Sequence, residues 1–162
     1  FDAETGKADF FWANRSWMDP SILRPMQIAE VPTQDGFSIP VRLTLPDGDR
    51  PAPLIVNPHG GPHGVFDEWA FNYETQLLAS RGYAVLQINF RGSGGLGKKF
   101  EDAGHKEWGG QMIEDIAAAT RWAMAHPDID EGRVCAFGGS YGAYASYMLA
   151  VRESAMLRCA VG

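Results

Sequence analysis

Ser140 sits in Gly138-Gly139-Ser140-Tyr141-Gly142, a hydroxyl flanked closely by residues without side chains. This G-x-S-x-G spacing is that of a serine nucleophile held on a sharp turn. The turn leaves no room beside the serine, so glycines are needed at Gly138 and Gly142 for the strained residue to project its Oγ. The pattern alone is loose in a chain with 19 glycines. Its context is more specific. Residues 133–137, RVCAF, read as a buried strand, and residues 143–152 read as a helix. A helix starting there turns the positive end of its dipole toward the serine and favours developing negative charge. The bland alternative is a glycine-rich turn with an inert serine.

The second constellation is NPHGGPHG, residues 57–64, placed after a short apolar run (LIVN, 54–57) and before a predicted helix. Adjacent glycines let the backbone approach a tetrahedral intermediate closely. Pro62 has no N–H, so the oxyanion donor from this loop is Gly60 or Gly61, with Gly61 favoured. The second donor is the N–H of Tyr141, directly after the serine. His59 and His63 are spaced i, i+4, as in a zinc-binding helix, but Gly60-Gly61-Pro62 forbids a helix and no glutamate follows His59. His59 is read as ordering the loop through hydrogen bonds, and no metal is expected.

A third stretch, NFRGSGGLGKKF (89–100), places Gly92, Gly94 and Gly97 in a G-x-G-x-x-G pattern. A dinucleotide fold would need a helix at once and an acidic residue about 20 positions on. Gly104, Gly109 and Gly110 interrupt the region instead, so no nicotinamide or other organic cofactor is expected. The stretch reads as a loop near the site. Arg91 is either available to pair a carboxylate there or held in a structural salt bridge.

The elements that would position these loops alternate. Residues 26–31 and 39–45 are β-branched and alternating, with Asp35-Gly36 as the turn signal of a hairpin. A helix over 68–81 is stopped by Gly82, and 83–90 reads as a strand. Over 111–126, Met112, Ile116, Ala119, Trp122 and Ala123 share one helical face, and Pro127 ends the run. RCAVG at the end opens another strand. An antiparallel hairpin followed by β-α-β units predicts an α/β fold with helices on both faces of a mostly parallel sheet. Residues 1–25 carry many aromatics and no steady period. They read as a linker or the edge of a preceding domain, with 26–162 as the N-terminal part of a catalytic domain that continues beyond Gly162.

Composition bounds the partners. An apolar fraction of 45% and a charged fraction of 21% are those of a soluble globular protein. The net charge of -6 argues against nucleic acid, which needs a basic face. No apolar run reaches the ~20 residues of a membrane span. The compartment stays open between cytoplasm and periplasm. Cys135 and Cys159 lie in apolar runs and read as buried thiols rather than a disulfide framework.

HGGPHG, INFRGSGGLGKKF, WGGQMIEDI and GGSYGAYAS, in this order and spacing, resemble the catalytic domain of the prolyl oligopeptidase family of serine peptidases. The resemblance runs from Met26 to Gly162 and is nearest the acylaminoacyl-peptidase-like and dipeptidyl-peptidase-like branches. It implies an α/β-hydrolase fold and a β-propeller in the same full-length chain. It also implies a short peptide substrate, and it leaves room for a homo-oligomer. By the match, Ser140 is the nucleophile, and Gly61 and Tyr141 are the oxyanion donors. Ala143 departs from the family, where many members carry glycine. The fold's triad order is Ser, Asp, His, which puts both partners after Gly162. His59, His63, His105 and His126 all precede Ser140. A reversed order with His105 or His126 as base is formally open but fits a parallel α/β pattern poorly. Two further readings stand: an acyl hydrolase such as a carboxylesterase on the same fold, and a hydrolase fold that has lost catalysis and serves as a binding module.

Overall fold

The alternating hairpin and the apolar runs form one six-stranded sheet in the order β1-β2-β4-β3-β5-β6. The computed structural model describes residues 1–8, 15–48 and 51–162. β1 (Met26–Pro32) and β2 (Ser38–Thr44) pair antiparallel, and β2 pairs antiparallel with β4 (Ala84–Ile88). β4, β3 (Ala52–Pro58), β5 (Ile129–Phe137) and β6 (Cys159–Val161) run parallel. All five residues of β4 are buried, as expected for a strand covered on both faces.

The connections decide which helix covers which face. From β3 the chain moves through α1 (Tyr73–Ser80) to β4 on one side. From β4 it returns through α2 (Lys98–Asp102) and α3 (Gln111–Met124) to β5, and through α4 (Tyr141–Arg152) to β6. Right-handed crossovers in opposite directions put α1 on one face and α3 and α4 together on the other. α3 buries Met112, Ile113, Ile116, Ala119 and Ala123 against the sheet, with Trp122 half-buried at the margin. Among the described residues, no helix is long and apolar enough to cross a membrane.

Several boundaries differ from the sequence expectation for local reasons. The first helix begins at Tyr73, not residue 68, because the Asn72 side chain caps it by accepting from the N–H groups of Glu74 and Thr75. Upstream, the Asn89 side chain accepts from Asp67 N–H and donates to Asp67 C=O, which holds that segment as a docked loop. β5 starts four residues early, at Ile129, since Ala52 pairs with Ile129 before a register shift brings Leu54 opposite Val134. α4 starts at Tyr141, directly on the serine turn. A one-turn helix, α2, occupies part of the stretch read as loop. The helix read over 111–126 gives way after Met124 to a tight last turn, with His126 N–H donating to Ala123 C=O.

The cysteines require a correction. Cys135 and Cys159 are not free buried thiols; they are cross-strand partners on β5 and β6 and are bonded to each other, with Cα atoms 4.7 Å apart. Apolar neighbours suggested burial for both, but Cys159 is exposed. The pairing follows from strand register, which two cysteines 24 residues apart do not announce. Of the aromatics in the opening segment, Phe10, Phe11 and Trp12 lie outside the described residues, while Phe1 and Trp17 are exposed.

Candidate active site

β3 and β5 are neighbours, but the chain leaves them in opposite directions, toward β4 and toward β6. Such a switch point opens a crevice at the carboxyl ends of the strands, where α/β proteins bind ligands. Both sequence-predicted loops meet there. The Asn57 side-chain amide donates to Phe137 C=O at 2.8 Å and ties the two strand ends together. Ser140 follows β5 with φ 57° and ψ −121°, a conformation that only glycine adopts freely. Its side chain is exposed.

The glycines around it are explained by backbone proximity. A Cβ on Gly142 would lie 2.2 Å from the Pro58 carbonyl oxygen, and one on Gly138 would lie 2.8 Å from the same atom. The serine turn is therefore seated on the end of β3, main chain against main chain. Gly60 is on the same seam: a Cβ there would be 3.3 Å from Gly139 C=O and 3.6 Å from Ser140 Cβ. Gly61 has φ +115°, and its bond to Pro62 is cis. Tyr141 is the first residue of α4, so its N–H has no carbonyl a turn earlier to bond. The structure thus brings Ser140, Gly60, Gly61 and the Tyr141 N–H into one neighbourhood.

His59 does order the loop. Gly60 C=O can only accept, so Nδ1–H donates to it at 2.7 Å. Burial lowers the His59 pKa, which favours the neutral ring. Nε2 then faces the Ser93 hydroxyl at 2.8 Å, and that hydroxyl also reaches Phe90 C=O at 2.6 Å. The imidazole stacks on Phe90 with ring centroids 4.4 Å apart.

Each of the other histidines has a partner other than Ser140. His63 Nε2 accepts from the Trp108 indole N–H at 3.3 Å, and His105 Nδ1 lies 3.8 Å from Asp102. His126 Nδ1 accepts from Asp128 N–H. His126 also precedes a nine-residue strand whose far end leads to Ser140, a separation of about 30 Å at ~3.3 Å per residue.

Of the two readings left open for Arg91, the structure takes the salt bridge. Asp115 accepts from Arg91 N–H, Nε and Nη2 at 2.9, 2.8 and 2.7 Å, and Asp35 accepts from Nη1 and Nη2. Burial pushes the Asp115 carboxyl up while the guanidinium pushes it down, and a group bonded through both oxygens to a permanent cation is ionised.

Sequence reasoning missed three contributors. Ser93 supports His59, Asn57 ties the strands, and Trp108 offers its carbonyl to the Tyr141 phenol at 2.6 Å. A backbone acceptor leaves no residue-type signal, and the other two are visible only once the strands are paired.

The profile of the prolyl oligopeptidase family matches residues 69–162. Dipeptidyl aminopeptidase BIII of Pseudoxanthomonas mexicana is 37% identical over 155 residues, which are 90% of this chain and 22% of that protein. The acylamino-acid-releasing enzyme of Sus scrofa is 36% identical over 94 residues, 58% of this chain and 13% of that protein. The chain therefore spans less than a quarter of the length of these relatives. Among solved structures, the acylaminoacyl peptidase of Pyrococcus horikoshii superposes with a TM-score of 0.77 at 27% identity, covering 85% of this chain and 22% of its own. A puromycin hydrolase gives 0.81 at 25% identity, covering 88% and 22%. The switch point in the strand order, the strained serine turn and these likenesses agree on an α/β-hydrolase fold, and the chain belongs to the prolyl oligopeptidase family.

Proposed function

We propose that this chain is part of a serine peptidase that cleaves short peptides through an acyl-enzyme, with Ser140 as nucleophile. The observation that carries the reading is the Ser140 backbone, held at positive φ between β5 and α4. Ser140 Oγ attacks the scissile carbonyl, and a histidine supplied by the rest of the protein takes the proton and returns it to the leaving amine. An aspartate from the same source orients that imidazole. Each of the four histidines has a partner other than Ser140, which suits this division. The oxyanion rests between the N–H groups of Gly61 and Tyr141, with Gly60 and His59 shaping the loop. Losing one such donor typically costs about 100- to 1000-fold in rate.

In this reading residues 1–25 are the exit from a β-propeller domain and 26–162 the N-terminal part of the hydrolase domain. Exposed Phe1 and Trp17 suit a surface that another domain covers.

The test is intact mass spectrometry of the full-length protein before and after a fluorophosphonate probe. One adduct mapped to Ser140, absent in Ser140→Ala, supports the proposal. An unlabelled but folded protein refutes it and leaves a binding module. Comparing peptide amides with simple esters separates a peptidase from a carboxylesterase.

A further inference from the structure

Tyr141 contributes more than its main chain to this site. It is only 5% exposed, unusual for a tyrosine beside an open serine. Its ring packs among Phe90, Trp108 and Tyr144, with centroids 5.5, 5.6 and 5.6 Å away. Its hydroxyl donates to Trp108 C=O at 2.6 Å and lies 3.2 Å from Met112 Sδ. Burial raises the phenol pKa, so the hydroxyl stays a donor across the working pH range.

The acceptor lies in a turn that is itself fixed. Gly110 N–H donates to Glu107 C=O, and Gln111 N–H donates to the Glu107 side chain at the entry to α3. The same turn is gripped from the other end of α4, where Arg152 Nη1 donates to Gly109 C=O at 2.8 Å. α4 is thus pinned to residues 107–110 at its first and last residues, about 18 Å apart for a 12-residue helix.

The two pins differ in what they control. A peptide unit is rigid, so the direction of the Tyr141 N–H is set by the torsions on either side of it. Turning that N–H about the Tyr141 Cα also moves Cβ and the ring attached to it. A ring held at its faces and its tip therefore resists rotation of the N–H. The Arg152 pin holds helix position but has no lever on that peptide.

We infer that the Tyr141 phenol, anchored on the Trp108 carbonyl, is a positioning residue that aims the Tyr141 N–H at the developing oxyanion. This rests on the reading of Ser140 as nucleophile. Since losing a whole donor costs about 100- to 1000-fold, a misdirected one should cost about tenfold.

The experiment uses the full-length protein with Tyr141→Phe, which keeps the ring and removes the anchor, and Arg152→Ala, which cuts the distant pin together with the Arg152 ion pair to Glu114 on α3. Active-site titration with a fluorophosphonate first normalises each preparation to competent enzyme. The expected result for Tyr141→Phe is a kcat about tenfold lower, KM within twofold, and a parallel loss of affinity for a peptide aldehyde, whose adduct places an oxyanion in the hole. Arg152→Ala should keep kcat within twofold. The inference is overturned if Tyr141→Phe keeps its kcat, if the loss falls on KM alone, or if Arg152→Ala loses as much. A wild-type protein that takes no probe at Ser140 overturns the reading beneath it instead.

Discussion

Removing Asp115 should unfold this domain far more readily than removing Asp35, although both pair with Arg91. Asp115 is fully buried and accepts three hydrogen bonds from Arg91, one from the main chain and two from the guanidinium. The Arg91 side chain is 7% exposed, whereas Asp35 is 44% exposed. In Asp115→Ala, the buried guanidinium keeps only the exposed Asp35, its Nε is left without an acceptor, and the buried Arg91 N–H loses its partner, a loss of about 3–5 kcal/mol. That is a large share of the ~5–15 kcal/mol that holds a domain together. Asp35→Ala removes an arm that water can replace, and about 1 kcal/mol or less is expected. With a urea slope on the order of 2 kcal/mol per molar, the midpoints should fall by about 2 M and by less than ~0.5 M. Tryptophan fluorescence of the full-length protein in urea reads both variants. Equal shifts would refute the argument that burial, and not the count of ion pairs, sets the strength of this network.

Ser140→Gly should abolish labelling by fluorophosphonate yet raise stability by about 1 kcal/mol, because glycine relieves a positive φ that costs a non-glycine residue roughly 1–3 kcal/mol. A melting temperature at or below that of Ser140→Ala would contradict this. Asp67, pushed up to about 6 by burial, binds its proton more tightly in the folded chain. Its contribution to stability is complete below about pH 4 and lost as pH rises through 6. Asp67→Asn should therefore flatten the stability profile between these values and be the more stable protein above pH 6, and parallel profiles would show the carboxyl to be unperturbed. Reducing Cys135–Cys159, which closes a separation of 24 residues, should cost about 3 kcal/mol, seen as a lower melting temperature in reductant.

The sequence carried most of the fold because its signals are local. Asp35-Gly36 marked the hairpin, the five-residue face of α3 marked a buried helix, and Gly138 and Gly142 marked the serine turn. What could not be read depends on register or on competition between partners. The disulfide required Cys135 to lie opposite Cys159. The fate of Arg91 required Asp115, a helical residue 24 positions away, to face β4's exit. The late start of α1 required Asn72 to outcompete four upstream residues that looked equally helical. The Trp108 carbonyl could not be read at all, since any residue type supplies the same acceptor.

The seam between the serine turn and the end of β3 has a consequence for divergence. Gly142, Gly138 and Gly60 leave no room for a side chain against Pro58 C=O and Gly139 C=O, backbone atoms that every amino acid shares. The spacing from Ser140 to the Gly60–Gly61 loop is thereby gauged by the polypeptide itself. Side chains around the switch point can change over generations without moving that gauge. The glycines alone are denied this freedom, since any side chain at Gly142 would wedge the two loops apart.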